Sequence, residues 1–300
     1  MESTQAGRQT SGKVWNYREA FVRNLGLVTA QEQERLRQSC VAICGLGGAG
    51  GVHLVTLLRL GIGRFRLADP DYFELVNINR QYGATVQSLG RSKVKVMAEI
   101  AKAINPEVEL ELFEEGMTAD NADDFLRGAD VAVDAIDFFA LKARRIFFQA
   151  ARRHGIYSMT SAPLGFSATL QIFSPTGMSF DEYFDISDTQ SLEDQLIAFV
   201  VGLAPRALHL PYMDLSHVSF SDGMGPSSVL ACHLASGIIG TEVLNLALKR
   251  SPPLVAPRYF QFDAYRHRFV SGCLWRGNRH PWQRAKRWLF KRKLEASRRP

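Results

Sequence analysis

Val41-Ala42-Ile43-Cys44-Gly45-Leu46-Gly47-Gly48-Ala49-Gly50-Gly51 is the stretch that decides the fold of this 300-residue chain. Its apolar start reads as a buried strand, its glycines as a tight turn, and the apolar spacing from His53 to Leu60 as the helix that follows. A strand running into G-x-G-G-x-G-G and then a helix gathers backbone N–H groups and a helix N-terminus around one point, where side chains would obstruct a phosphate. A nucleotide phosphate is therefore the natural ligand of Gly45, Gly47, Gly48 and Gly50, although such glycines also serve tight strand-to-helix packing. Phe65 to Ala68 reads as a second strand ending at Asp69-Pro70-Asp71, which closes a βαβ unit. Asp69 lies about twenty residues beyond the turn, where a carboxylate accepts hydrogen bonds from ribose hydroxyls. Turn and acid alone favour an NAD-dependent dehydrogenase.

Further along, Lys93 to Ile104 is an amphipathic helix stopped by Asn105-Pro106. Val108 to Phe113 and Val131 to Asp134 read as strands, Ala140 to His154 as a basic-faced helix, and Tyr157 to Ser161 as a fifth strand. This alternation predicts an α/β fold, a doubly wound, Rossmann-like and mostly parallel sheet. After Pro163 the pattern changes. Ala168 to Phe173 is a strand, and Ser174 to Gly225 is a long C-terminal excursion with an acidic run from Asp181 to Asp194, more often functional than idle in a compact domain. Gly225-Pro226-Ser227 opens a closing apolar helix to Lys249, and Tyr259 to Phe262 is a last strand. The expected organisation is a flexible lead-in over residues 1–14, one domain over 15–270 with its nucleotide-binding core near 40–165, and a basic tail over 271–300.

An apolar content of 46% suffices for one large core. The N-terminal residues carry no apolar stretch behind a basic start, so no secretory signal is read there. Val229 to Leu248 approaches membrane-spanning length but contains His233, Ser236, Thr241, Glu242 and Asn245, which makes it a buried core helix and leaves no integral membrane segment. Cys40, Cys44, Cys232 and Cys273 form no C-x-x-C pair and no Cys/His cluster, so neither zinc nor a disulfide framework is expected, and a reducing cytoplasm fits best. The net charge of +6 resides in the tail: the segment from Arg266 onward carries more than the whole of it and leaves the body mildly acidic. Trp282, Trp288 and Phe290 alternate there with arginines and lysines on a plausible helix. Such a helix suits an anionic membrane, RNA or an acidic carrier protein, or packs its aromatics on the body.

The residues after Asp69 turn the reading from NAD to ATP. Asp71 is followed by Asn77-Ile78-Asn79-Arg80-Gln81 and by Gly90-Arg91-Ser92-Lys93 at a helix start, and later by Asn105-Pro106 and Asp134-Ala135-Ile136-Asp137. In this order and at these intervals the motifs resemble the ThiF/MoeB/HesA superfamily, relatives of the ubiquitin-activating enzymes, closely from Arg23 to Ala162. The resemblance implies an ATP-dependent adenylyltransferase that activates a carboxylate, the C-terminus of a small ubiquitin-like or sulfur-carrier protein, as its acyl-adenylate. The same motifs also resemble the tRNA threonylcarbamoyladenosine dehydratases, in which ATP activates a carboxylate carried by tRNA. A non-catalytic nucleotide-binding scaffold is a further alternative.

By residue-for-residue match, Asp69 binds ribose within the nucleotide-binding pair Asp69 and Asp71, Asn77 and Arg80 contact phosphates, Lys93 reaches the triphosphate, and Asp137 holds Mg2+. Adenylation needs a bent triphosphate whose charge is neutralised, and Arg80 and Lys93 supply two fixed cations for it. Val131 to Asp137 reads as a buried strand delivering a hard oxygen ligand at the edge where open α/β sheets bind ligands. Other readings stand beside these: Arg80 and Lys93 as solvated charges, Asn77 as a turn cap, Asp134 as a strand-end cap, and Asp137 as the N-cap of the helix near Ala140. Arg23, in Phe21-Val22-Arg23-Asn24-Leu25-Gly26, resembles an arginine that reaches the nucleotide of the neighbouring subunit, which implies a homodimer, with Arg18 as its competitor.

The chain also departs from the family pattern. Phe138 stands where an asparagine is usual and Phe139 follows it, so polar contacts near the nucleotide are lost. The excursion contains no cysteine, which leaves Cys232 as the candidate for a thioester or persulfide, against its reading as a packed helix thiol. His209, His217 and His233 are too scattered to be given a role.

Overall fold

The computed structural model describes residues 14–218 and 225–297, with side chains described through residue 292. The lead-in expected over residues 1–14 lies outside the described residues except for Val14. Helices α1 (Tyr17–Ala20) and α2 (Ala30–Gln38) precede the sheet, with Thr29 and Glu32 forming a capping box at the start of α2. Strand β1 (Cys40–Cys44) runs through the glycine turn into α3 (Gly48–Leu60). The alternation continues with β2 (Arg64–Ala68), α4 (Lys93–Ile104), β3 (Glu109–Phe113), α5 (Ala122–Leu126), β4 (Val131–Asp134), α6 (Leu141–Arg153) and β5 (Tyr157–Thr160). Then come β6 (Pro163–Leu164), β7 (Ser167–Phe173), α7 (Phe180–Phe184), α8 (Leu192–Leu203), α9 (Val229–Leu248), β8 (Arg258–Asp263), β9 (Arg268–Cys273) and α10 (Pro281–Ser297).

The strands lie in the order β3-β2-β1-β4-β5-β7-β8-β9, the first five parallel and the last three antiparallel, with β6 paired to β7. From β1 the chain winds outward through β2 to β3, then returns to lay β4 against the other side of β1. That reversal opens a crevice beyond the C-terminal ends of β1 and β4, where doubly wound sheets bind ligands. All of β1 is buried, because both faces of the sheet are covered: Cys40, Ala42 and Cys44 face one core, Val41 and Ile43 the other. Phenylalanines of α5 to α8, among them Phe125, Phe147, Phe180 and Phe199, fill the first core. Leu54 and Leu57 of α3, Met97 of α4, and Ile239 and Val243 of α9 fill the second. Helix α9 is long and apolar enough to cross a membrane, yet its Cys232, Ala235, Ile239 and Val243 are buried, and it packs against α3 and β7.

Among its described residues the excursion contains two α-helices that its acidic composition conceals. Helices α7 and α8 begin at Ser179-Phe180-Asp181-Glu182 and Ser191-Leu192-Glu193-Asp194, where each serine accepts a hydrogen bond from the backbone N–H three residues on. These S-x-x-[DE] patterns are the sequence signal for both. The basic tail folds back on the excursion: Arg279 and Arg287 pair with Asp185 and Lys291 with Asp194, while Arg145 of α6 holds Asp181 and Asp188. Buried Asn278 donates to the carbonyls of Phe184 and Ala198, and Gln283 to that of Val201. Trp282, Trp288 and Leu289 remain exposed, so the tail turns cations and amides inward, the reverse of the packing its aromatic content suggests. Strand β9 carries the sheet across residue 270, the boundary suggested by charge alone.

His53 of α3 is fully buried against α9, its Nδ1 2.7 Å from Ser236 Oγ and its Nε2 without a partner. Burial keeps the imidazole neutral, with its pKa pushed down from 6.5 to about 3. The unfolded chain takes up a proton here as pH falls below 6.5 and the folded chain does not until about 3, so stability is lost across that window. Between pH 7 and pH 5, His53→Gln is expected to lose about 2 kcal/mol less than the unaltered chain in urea unfolding. Equal losses would show that the imidazole is not held neutral.

Candidate active site

The glycine turn is clamped between two strand tips. Gly45 N donates to Ala68 O at 2.7 Å, and Ala135 N to Cys44 O at 2.8 Å. Gly45 has φ 91°, and a Cβ there would lie 2.2 Å from Ala135 O; at Gly50 it would lie 1.8 Å from Gly45 O. Neither position admits a side chain. Gly47 serves as N-cap of α3 without any side-chain cap, so the N–H groups of the first turn are presented at the crevice.

On the β2 side, Asp69 is buried and takes the N–H of Leu46 on one oxygen at 2.5 Å and that of Asp71 on the other at 2.8 Å. Burial raises its pKa, and these two bonds oppose the rise. Asp71 in turn pairs with Lys93 at 3.0 Å, a lysine whose residue is only 6% exposed at the start of α4. Leu46, Asp69, Asp71 and Lys93 thus form one chain of contacts leading from the turn. The run from Asn77 to Gln81 folds over the turn from outside. Asn77 is buried and its Oδ1 caps the N–H of Glu74 at 3.0 Å, so its turn-capping reading is present in the structure. Arg80 donates to Val76 O and Asn79 Oδ1, and its Cγ lies 3.4 Å from where a Cβ on Gly48 would be. Gln81, quoted in the motif but given no role from sequence, is buried against Gly47 with its Oε1 unpaired.

On the β4 side, Asp137 is exposed and its Oδ1 accepts from Phe139 N at 2.9 Å. It caps that turn and is not the N-cap of α6, which is Ala140. Asp134 is buried in an ion pair with Arg144, Nε to Oδ2 at 2.8 Å, and its Oδ1 accepts from Ile136 N at 3.0 Å. Arg144 was invisible to the motif reading, since nothing in a basic helix face marks one arginine as buried. Phe138 packs on Phe199 with ring centroids 5.3 Å apart, so the residue replacing the usual asparagine anchors its loop to α8. A groove of about 220 Å3 beside Tyr17 and Phe21 and a cavity of about 70 Å3 beside Phe148 and Phe180 are lined by none of these residues.

The profile of the ThiF family matches residues 21–281. The chain belongs to the ThiF family. By class it is therefore a ThiF family adenylyltransferase. A tRNA threonylcarbamoyladenosine dehydratase of Haemophilus influenzae is 32% identical over 196 residues, covering 65% of this chain and 70% of the relative. A sulfur carrier protein adenylyltransferase of Thermus thermophilus is 36% identical over 112 residues, 37% of this chain and 41% of the relative, so the match there spans less than half of that protein. Among solved structures, the E. coli tRNA N6-threonylcarbamoyladenosine dehydratase TcdA in complex with ATP superposes with a TM-score of 0.58 at 19% identity, covering 78% of this chain and 95% of that one.

Arg23 and Cys232 of this ThiF family chain lie at opposite ends of α3. Arg23 sits exposed in a 3-10 turn, Val22–Asn24, which Asn24 ties to Leu60 O at the far end of α3. Helix α3 is 13 residues long, about 20 Å, so Arg23 does not reach the glycine turn of its own protomer. Cys232 does lie at the turn, its Sγ 3.1 Å from where a Cβ on Gly48 would be, but it is fully buried. Burial pushes its thiol up to about 11, against the opposing charge of Arg80, which leaves little thiolate at neutral pH. Iodoacetamide applied to the folded protein is expected to label exposed Cys273 and spare Cys232, read by peptide mass spectrometry. Labelling of Cys232 at a comparable rate would restore it as a nucleophile candidate.

Proposed function

We propose that the protein transfers AMP from ATP to a carboxylate, releasing pyrophosphate, and that the observation carrying this reading is the shared edge of β2, β1 and β4. Ribose would meet Asp69, and the phosphates the uncapped N-terminus of α3. Arg80 packs directly on the turn, and Lys93 keeps donors to spare beyond its bond to Asp71. In the step proposed, a carboxylate oxygen of the acceptor bonds to the α-phosphorus while the bond to the bridging oxygen of the β-phosphate breaks. The electron pair leaves with pyrophosphate. Arg80 and Lys93 stabilise the negative charge that grows on the leaving group.

Asp137 would hold Mg2+ together with the phosphates. Among the described residues no group of three or more His, Cys, Asp and Glu is placed to cage a metal, and a single exposed carboxylate suits an ion that shares its shell with phosphates and water. When bound, the ion supplies charge neutralisation to the triphosphate. Carboxylate-dependent ATP–pyrophosphate exchange tests the reading: Asp137→Ala is expected to lower the exchange rate about a hundredfold or more, the scale of one transition-state charge contact. Absence of both exchange and ATP binding would remove it, and retained ATP affinity without turnover, indifferent to Asp137→Ala, would mark a nucleotide-binding scaffold.

The acceptor we favour is the C-terminus of a small ubiquitin-like or sulfur-carrier protein. The alternative, a carboxylate on tRNA, is supported by the Haemophilus influenzae relative. Against it stand Arg279, Arg287 and Lys291 of the tail, which are paired within the chain, while Arg276 and Arg284 stay exposed. Exchange stimulated by threonylcarbamoyladenosine-bearing tRNA and by no carrier protein would reverse this preference.

Arg23 acts only across a homodimer in this reading. An Arg23→Ala protein keeps its own crevice but offers its neighbour no arginine, whereas Asp137→Ala has the opposite defect. Mixing the two inactive variants after mild denaturation and refolding is expected to restore exchange activity, and no recovery would exclude the role.

A further inference from the structure

The residues on either side of Asp137 are held by a single side chain from the following helix. Arg144 of α6 is 4% exposed and uses its guanidinium in several directions at once. Its Nε donates to Asp134 Oδ2 at 2.8 Å, its Nη1 to Phe138 O at 3.2 Å, and its Nη2 to Ile136 O. Asp134 completes the clamp by accepting the N–H of Ile136 at 3.0 Å. The backbone immediately before and immediately after Asp137 is therefore bonded to the same arginine. The carbon of that guanidinium lies over the Phe199 ring of α8, 4.6 Å from its centroid, and Phe199 also touches Phe138.

Stability is a weak reason for such an arrangement. Burying an ion pair costs desolvation of both charges, and an apolar pair of similar volume is commonly as stable or more so. Geometry is the better reason, since a planar fork with five N–H donors can hold a carboxylate and two carbonyls in one orientation, which a lysine cannot. The segment it holds, residues 135–140, has no regular secondary structure and must present an exposed carboxylate at a fixed place beside the glycine turn. Ligands of a metal are commonly set in this way by partners that never touch the ion.

We propose that Arg144, locked by Asp134 and Phe199, is the positioning residue for Asp137 and sets how tightly the site takes Mg2+ with ATP. This rests on the reading of Asp137 given above. The test uses the full chain and two measurements: ATP affinity by calorimetry in EDTA, and the Mg2+ concentration giving half-maximal added ATP affinity. Asp137→Asn comes first. If it leaves the Mg2+ requirement unchanged, the reading of Asp137 fails and Arg144 has nothing to position. If it raises the requirement, Arg144→Lys is expected to raise it too, by about tenfold or more, while ATP affinity in EDTA stays as in the unaltered chain. Should the lone substitution unfold the protein, Asp134→Asn/Arg144→Met removes both buried charges together and is expected to behave in the same way. An unchanged Mg2+ requirement in the folded variants, or an equal loss of ATP affinity in EDTA, would overturn the proposal.

Discussion

Where β1 turns into α3 there is no room for a side chain at Gly45 or Gly50, and the arrangement of the site follows from that constraint. Gly45 is held in the left-handed region with the carbonyl of Ala135 where its Cβ would be, and Gly50 meets the carbonyl of Gly45 in the same manner. Backbone packed this closely lets the tips of β1 and β4 share hydrogen bonds beyond the last paired residues. The consequence is electrostatic. The N-terminus of α3 is left without a side-chain cap, and the exposed carboxylate of Asp137 follows β4, the neighbour of β1 in the sheet.

Around that crevice the charged side chains are mostly spoken for. Asp69 serves the turn, Lys93 is held by Asp71, and Asp134 is neutralised by Arg144. A carboxylate already bonded to two N–H groups still has free lone pairs, so occupation does not disqualify Asp69 as a ribose acceptor; it fixes where those lone pairs point. The same economy governs the periphery. An acidic excursion and a basic tail are joined by the ion pairs of Arg279 and Arg287 with Asp185 and of Lys291 with Asp194. What the tail leaves outward is aromatic surface at Trp282 and Trp288 together with the exposed cations Arg276, Arg284 and Arg292.

Phe138 shows how a departure from a family pattern can be structural in effect. An asparagine at that position would offer polar contacts, whereas the phenylalanine inserts between its loop and Phe199 and joins the excursion to the strand tip. Helix α8 thereby lies one ring away from the arginine that holds the loop of Asp137. The excursion, which sequence alone presents as a long departure from the sheet, packs through Phe199 on Phe138 and Arg144.

The sequence by itself determined the doubly wound core, because that rests on local signals: apolar runs of strand length, helical spacing, and glycines where sterics permit nothing else. Parallel strands β1 to β5, the extent of α4 and the apolar helix α9 all follow from such signals, and the ordered motifs marked Asp69 and Asp137 just beyond the ends of β2 and β4. Helices α7 and α8 were marked only by their capping serines, and strand β9 was hidden in a run read for its charge. The tertiary structure alone decided the rest. That Arg144 is buried and Arg145 is not, that Cys232 lies under the glycine turn, that Arg23 stands at the wrong end of α3 for its own crevice, and that the tail faces the acidic helices are all matters of contact between distant segments. Local periodicity states which face of a helix is apolar; it does not state which partner a charge will find, because that depends on the packing of elements far apart in the chain.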